Sequence, residues 1–328
     1  MRFFLLCLLS LALAAADPWT GVMTSTPATQ VDLTLTLADG KTATVRVYHP
    51  KVATAACPVV IFSHGLAGSR EGYDFLGKRW AEHGYVSIHP DHPGSDTAAF
   101  RGKRLAEIGP ALKAATQDPV ILAGRPALIR ALIDALPQIE ERLAGVKLDR
   151  ERIGVSGHSF GAWTTMQVAG ARGQLAGSRD GAWSDPRVKA FAALSPNGPG
   201  VIHRDSEFAE CKRPILIMTG SDDRQPAMLN PAGVERSGPW RRQTFDQLPA
   251  GEKMLAWFEG ARHCTYSAGA GNVLSGEPPP DPIQVEAVAV ITLAWWDAQL
   301  RDDAKAKTWL ADPATPSTFG AWAKFERK

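Results

Sequence analysis

Beyond its first sixteen residues the sequence has no apolar run approaching the ~20 residues that a membrane-spanning helix needs. Stable membrane insertion is therefore not expected. There is no excess of one charge either. Lys and Arg number 36 against 34 Asp and Glu, a net charge of +2, or +1 once Arg2 leaves with the leader described below. That gives no electrostatic basis for binding nucleic acid. Cysteine is scarce, four residues in all, with no C-x-x-C and no zinc-ligand spacing. His89-Pro90-Asp91-His92 comes nearest to a metal motif. Proline breaks its spacing and no second ligand cluster accompanies it, so it reads as a loop shaping a pocket. No cofactor or metal is implied. No internal repeat appears, and no linker divides the chain into two folding units. Nothing sets an oligomeric state.

What is present begins with a leader. Met1-Arg2 is a short positive segment, Phe3 to Leu13 is apolar, and Ala14-Ala15-Ala16 is a small-residue cleavage site. This is the pattern of a secretory signal peptide over 1–16, leaving residues 17–328 as an exported, secreted or periplasmic protein. Export permits disulfides. Three cysteines remain, Cys57, Cys211 and Cys264, so at least one is unpaired or bonded to another molecule, and a Cys57–Cys211 bridge stays open.

The full sequence is 45% hydrophobic and 21% charged, as an ordinary globular protein is. Alternation from Val31 to Val47 around Asp39-Gly40 predicts a β-hairpin. Pro58 to Ser63 is a continuous apolar run, as a strand covered on both faces shows. Tyr73, Leu76 and Trp80 mark a helix that Gly84 stops. Further strands are expected at Tyr85–His89, Ile153–Ser156, Val188–Leu194, Pro214–Thr219 and Lys253–Phe258, and helices at Arg125–Leu143 and Val285–Leu300. Residues 97–124 read as a small cap helix or a loop, 224–250 as a polar excursion, and the charged stretch from Arg301 onward as a solvated surface. Strands alternating with helices predict an α/β fold with a mostly parallel central sheet covered on both faces.

The chemistry centres on Gly157-His158-Ser159-Phe160-Gly161, between an apolar strand and a helix-compatible segment. A G-x-S-x-G in that setting is a nucleophile elbow, with the serine at the tip of a tight turn. A serine hydroxyl is a weak nucleophile until a base takes its proton, and the base needs a third group to hold its tautomer. Two later strand ends supply them in order. Asp222-Asp223 follows one and His263 follows the next. Asp223 is preferred to Asp222 because it lies farther into the loop and can turn back toward the imidazole. The backbone N–H groups of Phe160 and, from the loop His64-Gly65-Leu66, of Leu66 are the expected oxyanion donors. His158 and Cys264 read as packed neighbours of the site. Trp163, Trp295 and Trp296 read as core, while Trp183, Trp240 and Trp257 are left between core and pocket.

The segments Phe62-Ser63-His64-Gly65-Leu66, Asp91-His92-Pro93-Gly94-Ser95 and Gly157-His158-Ser159-Phe160-Gly161 resemble the bacterial predicted dienelactone hydrolases. That group is similar to plasma-type platelet-activating-factor acetylhydrolases within the α/β-hydrolase superfamily. The resemblance spans roughly Val31 to Leu300. It implies a single α/β-hydrolase domain over 17–328 and an esterase with Ser159, Asp223 and His263 as its triad, acting on a small-molecule or lipid-like ester. Ser159 stands where the narrower dienelactone hydrolases carry cysteine, which argues against dienelactone as the substrate. An exopeptidase or amidase could use the same three side chains, and a non-catalytic binding protein could keep the fold. The acyl pocket is expected from 97–124, 196–210 and 224–250.

Overall fold

A computed structural model describes residues 18–19, 26–172, 183–200, 207–230, 234–269 and 277–328. The leader at 1–16 lies outside the described residues. Among the described residues nine strands form one sheet: β1 Ala28–Thr36, β2 Thr42–Pro50, β3 Cys57–Ser63, β4 Val86–Pro90, β5 Leu148–His158, β6 Val188–Leu194, β7 Ile215–Asp222, β8 Lys253–Arg262 and β9 Ala323–Arg327. Their order is β1-β2-β4-β3-β5-β6-β7-β8-β9. From β4 through β8 neighbouring strands are parallel, while β1, β2 and β9 add antiparallel pairings at the two sides. The fold is therefore α/β with a mostly parallel sheet.

Alternation in the central strands explains why both faces must be covered. Val59 and Ile61 of β3 join one core with Ile215 and Ile217 of β7. Val60 and Phe62 join the opposite core with Leu216 and Met218. The first core is closed by the helices Pro119–Asp134 and Phe160–Ala169, the second by Asp74–Glu82 and Pro282–Leu300. Every residue of β3 is buried, and so is every residue of the helix Phe160–Ala169. Its threonines Thr164 and Thr165 can be buried because their hydroxyls donate to the carbonyls of Phe160 and Gly161 one turn back. Trp163, Trp295 and Trp296 are core residues.

The structure fills in several stretches that the sequence leaves open. The segment 97–124 holds two helices, Thr97–Phe100 and Leu105–Ala115, and the start of a third, Pro119–Asp134. Asp118 caps that third helix by accepting from the Val120 amide at 2.8 Å, and Pro119 begins it. The polar excursion contains a helix, Gly238–Asp246. The stretch after Arg301 is structured, with a helix at Ala304–Ala311 and β9 pairing with β8. Its polar letters hide a one-sided pattern, for Ala306, Leu310 and Ala323 are buried. The cysteines Cys57, Cys211 and Cys264 are all free and buried, so no Cys57–Cys211 bridge forms. No helix among the described residues is long and apolar enough to cross a membrane.

Helix Asp74–Glu82 lies so close to β2 that a Cβ on Gly77 would stand 2.4 Å from the Tyr48 ring. Gly77→Ala thus sets a helix-propensity gain of about 1 kcal/mol against an overpacking cost of about 1–3 kcal/mol. Overpacking wins because Tyr48 is buried and has no room to move. Urea unfolding of Gly77→Ala should show a lower midpoint than the parent. A midpoint at or above the parent's would contradict this packing.

Candidate active site

The strand β5 runs directly into the helix Phe160–Ala169 through one residue, Ser159. Ser159 has φ 56° and ψ −115°, a conformation costly for a residue with a Cβ. Close packing holds it there. A Cβ on Gly161 would sit 1.8 Å from the Ser63 carbonyl oxygen, so the helix can start this near the end of β3 only with glycine. The Ser159 amide donates to the Leu194 carbonyl at 3.0 Å, fixing the turn from the other side.

The described residues bring Ser159, His263 and Asp223 together. His263 Nε2 lies 3.0 Å from Ser159 Oγ, and His263 Nδ1 lies 2.9 Å from Asp223 Oδ1. A carboxylate facing Nδ1 keeps the proton on that nitrogen and leaves Nε2 free to accept from the serine. Asp222 is at the exposed end of β7, whereas Asp223 is fully buried.

Three residues around Asp223 carry no sequence signal of this role. Thr219 Oγ1 donates to Oδ2 at 2.8 Å, and Ser195 Oγ donates to Oδ1 at 2.9 Å. Ser195 Oγ is also 2.8 Å from His263 Nδ1, so the imidazole N–H is shared between hydroxyl and carboxylate. Like Ser159, Ser195 has a positive φ, 53°, at the end of its strand. Arg241, buried in the helix Gly238–Asp246, places Nε 2.9 Å from Asp223 Oδ1 and donates through Nη1 to the carbonyls of Ser195 and Pro196. Burial alone would raise the Asp223 pKa. The Arg241 charge and the hydrogen bonds from His263 and Ser195 outweigh it and bring the carboxyl down to about 2.

His158 is a packed residue. Its Nε2 meets the His263 carbonyl at 3.1 Å and its Nδ1 meets Tyr73 Oη at 2.9 Å, while Tyr73 Oη accepts from the Gly65 amide at 3.1 Å. A carbonyl can only accept, so the His158 proton sits on Nε2 and Tyr73 donates to Nδ1. The result is a chain of neutral groups from the Gly65 loop to the His263 backbone. Burial keeps His158 well below the usual histidine range. Because Gly65 N–H is engaged with Tyr73, Leu66 is the next amide along that loop. Leu66, Ser159 and Phe160 line one recess, together with Asn197 and Arg241.

A cleft of roughly 250 Å³ opens over Ser159 and His263. Leu112 lines it from the 97–124 segment, Pro226, Met228 and Leu229 from the 224–250 segment, and Leu66 and Tyr73 from the loop after β3. From 196–210, Asn197 reaches only the adjoining recess, and 201–206 lie outside the described residues. Trp183, Trp240 and Trp257 do not line the cleft; Trp240 Nε1 instead donates to the Pro199 carbonyl at 2.7 Å. Cys264 does line it, but burial raises its thiol to about 11.

His89 and His92 are fully buried, paired with Ser87 and Ser63. Asp91 is ion-paired with Arg70. Among the described residues no group of three His, Cys, Asp or Glu could hold a metal ion.

A parallel sheet with a serine elbow at the carboxyl ends of its strands is the frame of the α/β-hydrolase class. A family model, "Platelet-activating factor acetylhydrolase, isoform II", matches residues 28–118. A curated relative, the platelet-activating factor acetylhydrolase of Canis lupus familiaris, is 30% identical over 143 residues, which is 34% of this chain. The match spans 31% of that relative's own length. Together these findings support a likeness to the acetylhydrolase-like group. The family-model match contains the His64-Gly65-Leu66 loop and ends before Ser159, so the arrangement of the three side chains rests on the geometry above.

Asp223 is held below its ordinary value of 3.8, so its charge contributes stability in full above about pH 4 and loses it as pH falls through about 2. The contribution is roughly 2 kcal/mol. Unfolding free energies measured from pH 5 to pH 2 should fall less steeply for Asp223→Asn than for the parent. Equal slopes would contradict the buried ionised pair.

Proposed function

We propose that this chain is a serine carboxylic-ester hydrolase that works through an acyl-enzyme. The observation that carries the reading is one imidazole within hydrogen-bond reach of both a strained-turn serine and a buried, ionised carboxylate. Ser159 Oγ attacks the ester carbonyl while His263 Nε2 takes its proton. Asp223 holds the imidazole and stabilises its charged form. The amides of Leu66 and Phe160 receive the oxyanion, and the start of the helix Phe160–Ala169 adds positive potential there. The imidazolium then returns the proton to the leaving alcohol. His263 next draws a proton from water as the water oxygen attacks the acyl carbonyl, and it gives that proton to Ser159 Oγ as the C–Oγ bond breaks and the acid leaves.

Apolar side chains at the cleft, Leu66, Leu112, Met228 and Leu229, suit a small or lipid-like ester. The likeness to acetylhydrolases supports the same class. In this reading residues 17–328 form one domain, and the helix Leu105–Ala115 with the segment 226–229 caps the cleft. The leader at 1–16 directs export.

Ser159→Ala should lower kcat for p-nitrophenyl acetate by about 10⁴-fold or more, with the circular dichroism spectrum unchanged. A folded Ser159→Ala protein that keeps parental hydrolysis would overturn the proposal. Parallel assays with p-nitroanilides should show far slower turnover, and the opposite preference would assign an amidase.

A further inference from the structure

Among the described residues, Arg125 is the one fully buried arginine that the scheme above leaves without a part. It sits in the helix Pro119–Asp134 with 1% of its surface exposed. Its Nε donates to Thr164 Oγ1 at 2.9 Å, Nη1 to Ser95 Oγ at 2.7 Å, and Nη2 to Ser63 Oγ at 3.0 Å and to the His64 carbonyl. The guanidinium also lies over the Phe160 ring, 4.4 Å from its centroid.

These contacts share a pattern. Ser63 and His64 lead into Leu66. Ser95 holds the other side of that loop, because its carbonyl accepts from the Ala67 amide at 2.9 Å. Thr164 and Phe160 belong to the helix that starts at the elbow, and Thr164 Oγ1 donates to the Phe160 carbonyl at 3.0 Å. One planar side chain therefore grips the chain before Leu66, the chain after it, and the turn carrying Phe160. No carboxylate among the described residues forms an ion pair with it, and Asp96 acts on it only through space. Burying a cation without a counter-ion is costly, and a neutral packing residue would close the same space more cheaply. The cost makes sense where negative charge is about to develop nearby.

We propose that Arg125 is the positioning residue of the oxyanion site: it sets the spacing of the Leu66 and Phe160 amides and supplies uncompensated positive charge behind them. This rests on the serine-hydrolase reading. Its signature is specific to the tetrahedral state. Ground-state binding and the Ser159–His263–Asp223 hydrogen bonds do not involve it.

The test uses the full mature chain. For Arg125→Met, kcat on p-nitrophenyl acetate should fall about a hundredfold, with KM within threefold of the parent. The Ki of a trifluoromethyl ketone, whose serine adduct is a tetrahedral oxyanion, should rise by a similar factor. The pH midpoint of kcat/KM should not move. Thr164→Val keeps the guanidinium and removes one of its acceptors, so kcat and Ki should each change by about three- to tenfold; this variant decides the matter if Arg125→Met does not fold. Parental kcat and Ki in the folded variants would overturn the proposal, as would a loss confined to KM. A parent that hydrolyses no ester would instead overturn the reading on which the proposal rests.

Discussion

Everything at the site depends on how close the start of the helix Phe160–Ala169 comes to the end of β3. The gap admits no side chain at Gly161, whose Cβ would collide with the Ser63 carbonyl oxygen. That closeness forces Ser159 into its unusual backbone conformation. It also sets the Phe160 amide beside the loop that carries Leu66, since Ser63 and Leu66 belong to one continuous stretch. β3 and β5 are hydrogen-bonded neighbours through Ser63 and Gly157, so the sheet itself supplies the rigidity. The strain at one residue is thus borne by many pairings elsewhere.

Around this turn the charges are few and deeply placed. Asp223 is ionised and gripped by Arg241, Ser195, Thr219 and His263. Arg125 is a second buried cation, pulled down to about 9 by burial and still charged at neutral pH. Beside Arg125, and linked to it through Ser63 and the His64 carbonyl, sit histidines that stay neutral. Burial and the nearby Arg125 charge bring His64 down to about 3, and burial holds His92 well below its usual range. His158 and His263 both line the cleft, but the ring nitrogens of His158 are taken up by Tyr73 and the His263 carbonyl, whereas His263 presents Nε2 to Ser159. In the proposed reaction His263 is therefore the ring placed to exchange a proton with Ser159.

Much of this was legible in the sequence, for physical reasons. A strand buried on both faces must be apolar throughout, and Pro58 to Ser63 was. A tight turn before a helix needs glycine on both sides of its serine, and Gly157 and Gly161 stood there. Groups at strand ends fall on one edge of a parallel sheet, so Asp223 and His263 could be placed near Ser159 before any coordinates. Arg241 was not legible, because it lies in a helix whose polar sequence gives no periodic signal and whose burial comes wholly from tertiary packing. Arg125 was equally hidden, since a charged letter opening an apolar helix looks like a solvated one. The strand β9 and the helix Ala304–Ala311 were masked in the same way by their charged residues.

The most direct measurement of the central claim is active-site titration with a fluorophosphonate, read by intact mass and peptide mapping. At neutral pH the reagent should add once, to Ser159, and His263→Ala should abolish the adduct while the protein remains folded. Addition to Ser195, or to another serine at a comparable rate, would contradict the account, as would labelling of Ser159 that is indifferent to loss of the imidazole.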